Sequence, residues 1–143
     1  MAAANYTAAL QAAANTLAAT GVAVAVEEEL AFAERAFIVY LVERQAPESI
    51  QPLATGFKAR FNVTIDVECR AFSLSLAGAV AACDTLIKLA EDALLPDPTL
   101  GGTVLGTQFT GGELASGQNE QTGAFVAAST LRLECEMVAR YEV

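Results

Sequence analysis

From Phe61 to Cys69 the chain alternates apolar and polar residues without a break. Phe61, Val63, Ile65, Val67 and Cys69 fall on one side, and Asn62, Thr64, Asp66 and Glu68 on the other. Successive side chains of a strand point to opposite faces, so the pattern predicts a strand with one buried face. From Ser75 the period lengthens: Leu76, Val80, Cys83, Ile87, Ala90 and Leu94 recur every three or four residues, with Asp84, Lys88, Glu91 and Asp92 between them. This predicts a helix that lies on the buried face of the strand. Leu95-Pro96-Asp97-Pro98 ends it, because each proline lacks an N–H and restricts the residue before it, and Gly101-Gly102 opens a turn.

The rest of the chain reads around this pair. Leu131, Leu133, Cys135, Met137, Ala139, Tyr141 and Val143 alternate with Thr130, Arg132, Glu134, Glu136, Arg140 and Glu142, predicting a long last strand breached only by Val138. Ala2 to Ala19 is alanine-rich, with Tyr6, Leu10, Ala13 or Ala14, and Leu17 forming an apolar stripe, and reads as a first helix ended by Thr20-Gly21. Val22, Val24 and Val26 read as a short strand. Glu34 to Arg44 is apolar from Ala36 to Val42, as expected of a strand covered on both faces by helices or by a neighbouring subunit. Gln45 to Gly56, with Pro47 and Pro52, reads as a connection, and Thr103 to Phe109 as a strand. Gly111 to Gly123 has four glycines and no periodicity, and is expected to be a mobile loop. The predicted architecture is α+β: a mostly antiparallel sheet of four to five strands with two helices packed on one face, in a single domain spanning residues 1–143.

Composition narrows the chemistry. Of 143 residues 54% are hydrophobic, yet no apolar run approaches the roughly 20 residues that cross a bilayer, so no membrane role is expected. Seventeen acidic against eight basic residues give a net charge of -9, which repels a phosphate backbone, and without Trp there is little aromatic surface on which bases could stack. The sequence MAAANYTAAL has no basic region before an apolar core, so no secretory leader is expected and synthesis in the cytoplasm is the default.

Histidine is absent, which excludes Ser-His-Asp and Cys-His catalysis and any histidine-ligated metal. Cys69, Cys83 and Cys135 are odd in number, lack CxxC spacing and fall on apolar phases, so they read as small buried hydrophobes. Neither phosphate-binding glycine motif is present. Asp66 with Glu68, and Glu134 with Glu136, share strand faces, but an exposed face supplies no pocket for acid–base work. No enzymatic activity, cofactor or metal is expected. Glu27, Glu28 and Glu29 form an acidic run whose consecutive side chains do not converge on one ion. They read as solvated surface or as charge facing a neighbouring subunit or a lumen. Sheet edges and faces that one small subunit leaves uncovered point to homo-oligomerisation, and a head-to-tail contact repeated with rotation closes a ring.

The chain resembles the tail terminator and tail completion proteins of long-tailed bacteriophages, including the lambda-type terminator. The resemblance lies in its length, in the N-terminal helix, in the strand RFNVTIDVECRA leading to the helix SLAGAVAACDTLIKLAEDALL, in the turn DPTLGG at Asp97 to Gly102, and in the final alternating strand. The run from Glu27 to Glu34 departs from the proline-containing approach to the second strand found in many terminators. The resemblance implies a ring, hexameric in that family, at the head-proximal end of the tail. Such a ring stops polymerisation of the tail tube protein and offers a surface to head connector and neck proteins, while DNA passes through without specific binding. The predicted loop would then be a contact for a neighbouring subunit or the tube, through Glu113, Leu114, Ser116, Gln118, Asn119, Glu120 and Gln121, and Glu27 to Glu29 would face the lumen or an interface. Alternatives are another neck or tail tube protein, and a small cytoplasmic oligomeric domain that binds a ligand between subunits.

Overall fold

The computed structural model describes residues 6–27, 35–45, 49–118 and 120–142. Two strands dominate it: β4 (Gly56–Ser73) and β7 (Phe125–Glu142). They pair antiparallel residue for residue, from Gly56 opposite Glu142 to Ser73 opposite Phe125. Each of their outer edges is filled by two short strands laid end to end. Along β4 run β2 (Arg35–Arg44), paired with Val63 to Ala71, and β3 (Ser49–Leu53), paired with Gly56 to Arg60. Along β7 run β5 (Gly106–Gly111) and β6 (Ala115–Gln118). The short strand β1 (Ala23–Val26) adds to β2 in parallel, which completes a seven-stranded sheet.

The predicted class and layering hold: the fold is α+β, and α1 (Tyr6–Ala18) and α2 (Leu76–Leu94) contact each other and the sheet. The strand count rises to seven because two segments read as connections are strands. Within Gln45 to Gly56, Ser49–Leu53 forms a hairpin with the start of β4 around Ala54-Thr55, and Pro52 is accommodated because β3 lies on a sheet edge. Within Gly111 to Gly123, expected to be a mobile loop, Ala115–Gln118 pairs with Phe125 to Ala128. Glycine and polar content concealed it, because an exposed edge strand needs no apolar period.

The core lies between the helices and the predicted apolar side of β4 and β7. Val63, Ile65, Val67 and Cys69 are buried there with Leu131, Leu133, Cys135 and Met137, joined by Phe37 and Val39 of β2, and Phe61 is buried outside that cluster. On α1 the buried stripe is Ala9, Leu10, Ala13, Ala14 and Leu17. On α2 it is Ala79, Cys83, Leu86, Ala90 and Leu94, so the face is turned from the predicted one: Leu76 is exposed and Val80 and Ile87 are only partly covered.

Both ends of α2 are set locally. Ser75 caps the start, its hydroxyl accepting from Gly78 N–H at 3.0 Å. After Leu95, the Asp97 carboxylate accepts from Gly101 N–H at 2.8 Å and from the Thr99 hydroxyl at 3.1 Å. This turn carries three successive residues at positive φ: Leu100 (48°), Gly101 (68°) and Gly102 (85°). The glycines adopt that region without a Cβ clash, and Leu100 is held in it by burial of its side chain. The following strand begins at Gly106, three residues later than expected, because Val104 is buried in the turn while Leu105 is exposed.

The three cysteines are free and buried. Burial, followed by the fields of Cys83, Glu68 and Glu91, pushes the Cys69 thiol up to about 12, and burial also raises Cys83 and Cys135. Native-state thiol labelling should therefore be slow at all three positions and fast after denaturation; rapid native labelling of one would place it outside the core. A folded thiol that resists ionisation contributes stability fully present below its unfolded value and lost as pH rises, so stability should fall between pH 9.0 and about 12, and Cys69→Ala should flatten that decline in alkaline unfolding curves. Ile65→Asp should unfold the subunit, since an unpaired charge forced into the helix-covered core costs several kcal/mol, about 4 or more. Thr64→Asp, one residue away and facing Glu134, should cost far less in the same denaturant titration.

Candidate assembly surface

The face of the sheet turned away from the helices is built by the polar phase of β4 and β7. Asn62, Thr64, Asp66, Glu68 and Arg70 of β4 stand opposite Glu136, Glu134, Arg132, Thr130 and Ala128 of β7. Expected to be a plainly exposed face, it is partly covered at its centre. Asp66 is only 4% exposed. Arg132 grips it with two bonds, Nε donating to Oδ1 at 2.9 Å and Nη2 to Oδ2 at 3.1 Å, and the Tyr40 hydroxyl lies 3.5 Å from Oδ2. The bond to Asp66 raises the Arg132 guanidinium, and burial together with Asp66 and Glu68 raises the Tyr40 phenol. Beside this pair Arg70 Nη2 donates to Glu68 Oε2 at 2.7 Å, and Ala36 and Ile38 of β2, in register with Arg70 and Glu68, are buried. The interior-like centre explains why β2 is apolar on both faces.

Toward the β3 end the character changes. Glu134 and Glu136 are exposed and have no ion-pair partner among the described residues. With Gln45, Asn62, Thr64, Gly106 and Gln108 they border a shallow depression of about 510 Å³. Two side-by-side carboxylates on an open strand face are neither desolvated nor pointed at a nucleophile. Among the described residues, no group of three or more His, Cys, Asp or Glu is placed to hold a metal ion, and no helix is long and apolar enough to cross a membrane.

Beyond Phe61 the sheet narrows to a three-stranded arm of β3, the start of β4 and the end of β7. Here apolar side chains meet solvent: Ile50 is 61% exposed, Leu53 39% and Phe57 37%. Sequence periodicity passed over this cluster because the prolines flanking Ile50 suggested a connection. The available signal was the Leu53-Ala54-Thr55-Gly56 turn between two strand-like runs.

The residues singled out from the sequence lie on opposite edges of the sheet. Glu27 follows β1 at φ 56°, its N–H donating to Val39 O at 2.8 Å and its carboxylate accepting from Leu41 N–H at 3.4 Å, so it continues the edge pairing along β2. Glu28 and Glu29 lie outside the described residues. Across the sheet, Glu113 and Leu114 sit where β5 passes into β6, Ser116 and Gln118 lie on β6, and Glu120 and Gln121 form the hairpin turn, all exposed. Asn119 lies outside the described residues. Between Gly111 opposite Leu131 and Ala115 opposite Ala128 this edge has one residue more than β7, a bulge held by Gly112 N–H donating to Thr130 O at 2.7 Å. A Cβ on Gly112 would come within 2.9 Å of that same oxygen.

Arg132→Leu should strand the Asp66 carboxylate in its covered site, where an unsatisfied charged group costs about 1–3 kcal/mol or more. The double substitution Asp66→Asn with Arg132→Leu should recover much of that loss in a double-mutant cycle of unfolding free energies. Additive losses would mean that the pair is not coupled.

No protein-family model and no curated protein matches the sequence. Among solved structures, a chain from the virion of a native gene transfer agent particle is similar to this one, with 18% identity and a TM-score of 0.39 over 90% of this chain and 89% of that one.

Proposed function

We propose that this chain is a structural virion subunit, a tail terminator whose copies close into a ring at the head-proximal end of a tail tube. The ring, hexameric in the family the sequence resembles, stops tube polymerisation and presents a surface to the head connector. The observation that carries the reading is a subunit left open by its own fold: helices cover one sheet face, while a charged second face, two lateral edges and an apolar-tipped arm meet solvent. Placed beside the pattern of strand, helix and DPTLGG turn that resembles the terminators, this is a surface made for neighbours. The acidic composition suits a ring through which DNA slides, since copies carrying -9 each repel the phosphate backbone. In this reading the two lateral edges, with Glu27 on one and the Glu113–Gln121 hairpin on the other, lie where ring neighbours or the tube meet the subunit.

The test is assembly of tails with and without the protein. Tubes made in its absence should grow to irregular length and fail to join heads, and adding the purified protein should restore defined length, with a ring visible at one end by electron microscopy. Tubes of normal length in its absence would overturn the proposal. Within that assay Leu114→Asp, at an exposed position on the bulged edge, should change unfolding free energy by no more than about 0.5 kcal/mol yet abolish capping. Unimpaired capping would remove the hairpin from the contact surface. Point substitution is preferable to shortening the hairpin, because β6 covers the edge of β7.

A further inference from the structure

Resting on that reading, we infer that neighbouring copies join by an arm-to-face contact: the arm of one subunit docks on the depression bordered by Glu134 and Glu136 of the next. The arm supplies charge opposite to the face. On the side continuous with the polar face it carries Lys58 and Arg60, which have no ion-pair partner among the described residues, next to exposed Leu53. Arg70, Lys88 and Arg132, by contrast, are each spent on a carboxylate of their own chain. In a chain with eight basic residues, two cations with no ion-pair partner among the described residues, beside an apolar tip, are a concentrated feature.

The acceptor matches in chemistry. Glu134 and Glu136 are exposed and have no ion-pair partner among the described residues, and the exposed amides of Gln45 and Gln108 beside them offer hydrogen bonds to a polar rim. The arm reaches past the helix-covered core by the length of Gly56 to Arg60, about 16 Å at the rise of a strand. Edge-to-edge sheet extension is the competing geometry, and each edge offers little to it: Pro52 lacks a donor on β3, the one-residue bulge breaks the β5–β6 edge, and β1, the outermost strand beside β2, is only four residues long. An arm meeting a different patch is a heterologous contact, which propagates and closes into a ring when the rotation permits.

The experiment uses the full chain and two charge-reversed variants, Lys58→Glu with Arg60→Glu, and Glu134→Lys with Glu136→Lys, each checked for an unchanged thermal unfolding profile. All four positions are polar and none lies in the apolar core, so the fold should survive. Native mass spectrometry at low salt should show the wild type assembled, each variant alone monomeric, and an equimolar mixture reassembled with the two variants in equal number, since only unlike neighbours then match. Raising the ionic strength should weaken the wild-type assembly. A wild-type ring that persists in both variants would overturn the arm-to-face contact and leave the ring reading intact. A wild type that is monomeric both alone and on tail tubes would overturn both.

Discussion

The pairing of β4 with β7 is the constraint on which the rest of the structure depends. Two antiparallel strands matched from Gly56–Glu142 to Ser73–Phe125 form a ribbon far longer than either helix can span. Each outer edge of that ribbon exposes a row of backbone donors and acceptors that must be paired. The chain meets the demand with short strands in tandem, β2 with β3 on one side and β5 with β6 on the other. Irregularities accompany this arrangement: the register shifts around Val42 in β2, and an extra residue lies between β5 and β6.

A ribbon covered by helices on one side only has to manage its second face. Its middle is managed internally, by the Asp66–Arg132 pair with Tyr40 and by Glu68–Arg70. Removing one member of such a pair costs more than the pair itself contributes, because the remaining charge stays in its half-covered site. The pairs therefore fix the arrangement of the face more than they stabilise the fold. At the β3 end Glu134, Glu136, Lys58 and Arg60 have no ion-pair partner among the described residues, and exposed Leu53 shares their face. In the proposed ring, the division between a centre paired within the chain and an end whose described charges have no ion-pair partner makes the arm, and not the whole face, the place for a neighbour.

The sequence by itself determined the elements whose burial is periodic. Phe61 to Cys69 and Leu131 to Met137 alternate because one face of each strand is sealed by helices, and every predicted member of those faces is buried. The absence of histidine and the three apolar-phase cysteines were equally legible, since they depend on composition and local phase alone. Other features were decided only by tertiary structure. β3 and β6 are edge strands with little to bury, so their residues obey no period, and they exist because β4 and β7 offer unpaired backbone. The face of α2 turned to Ala79 and Leu86 instead of Leu76 and Ile87 because a period of three to four residues fits either set, and only packing against the sheet selects between them. Asp66 is covered because Arg132, 66 positions away in the chain, lies opposite it across the central pairing. Local pattern records which side of an element is dry; which backbone lacks a partner, and which charge meets which, is a property of the assembled sheet.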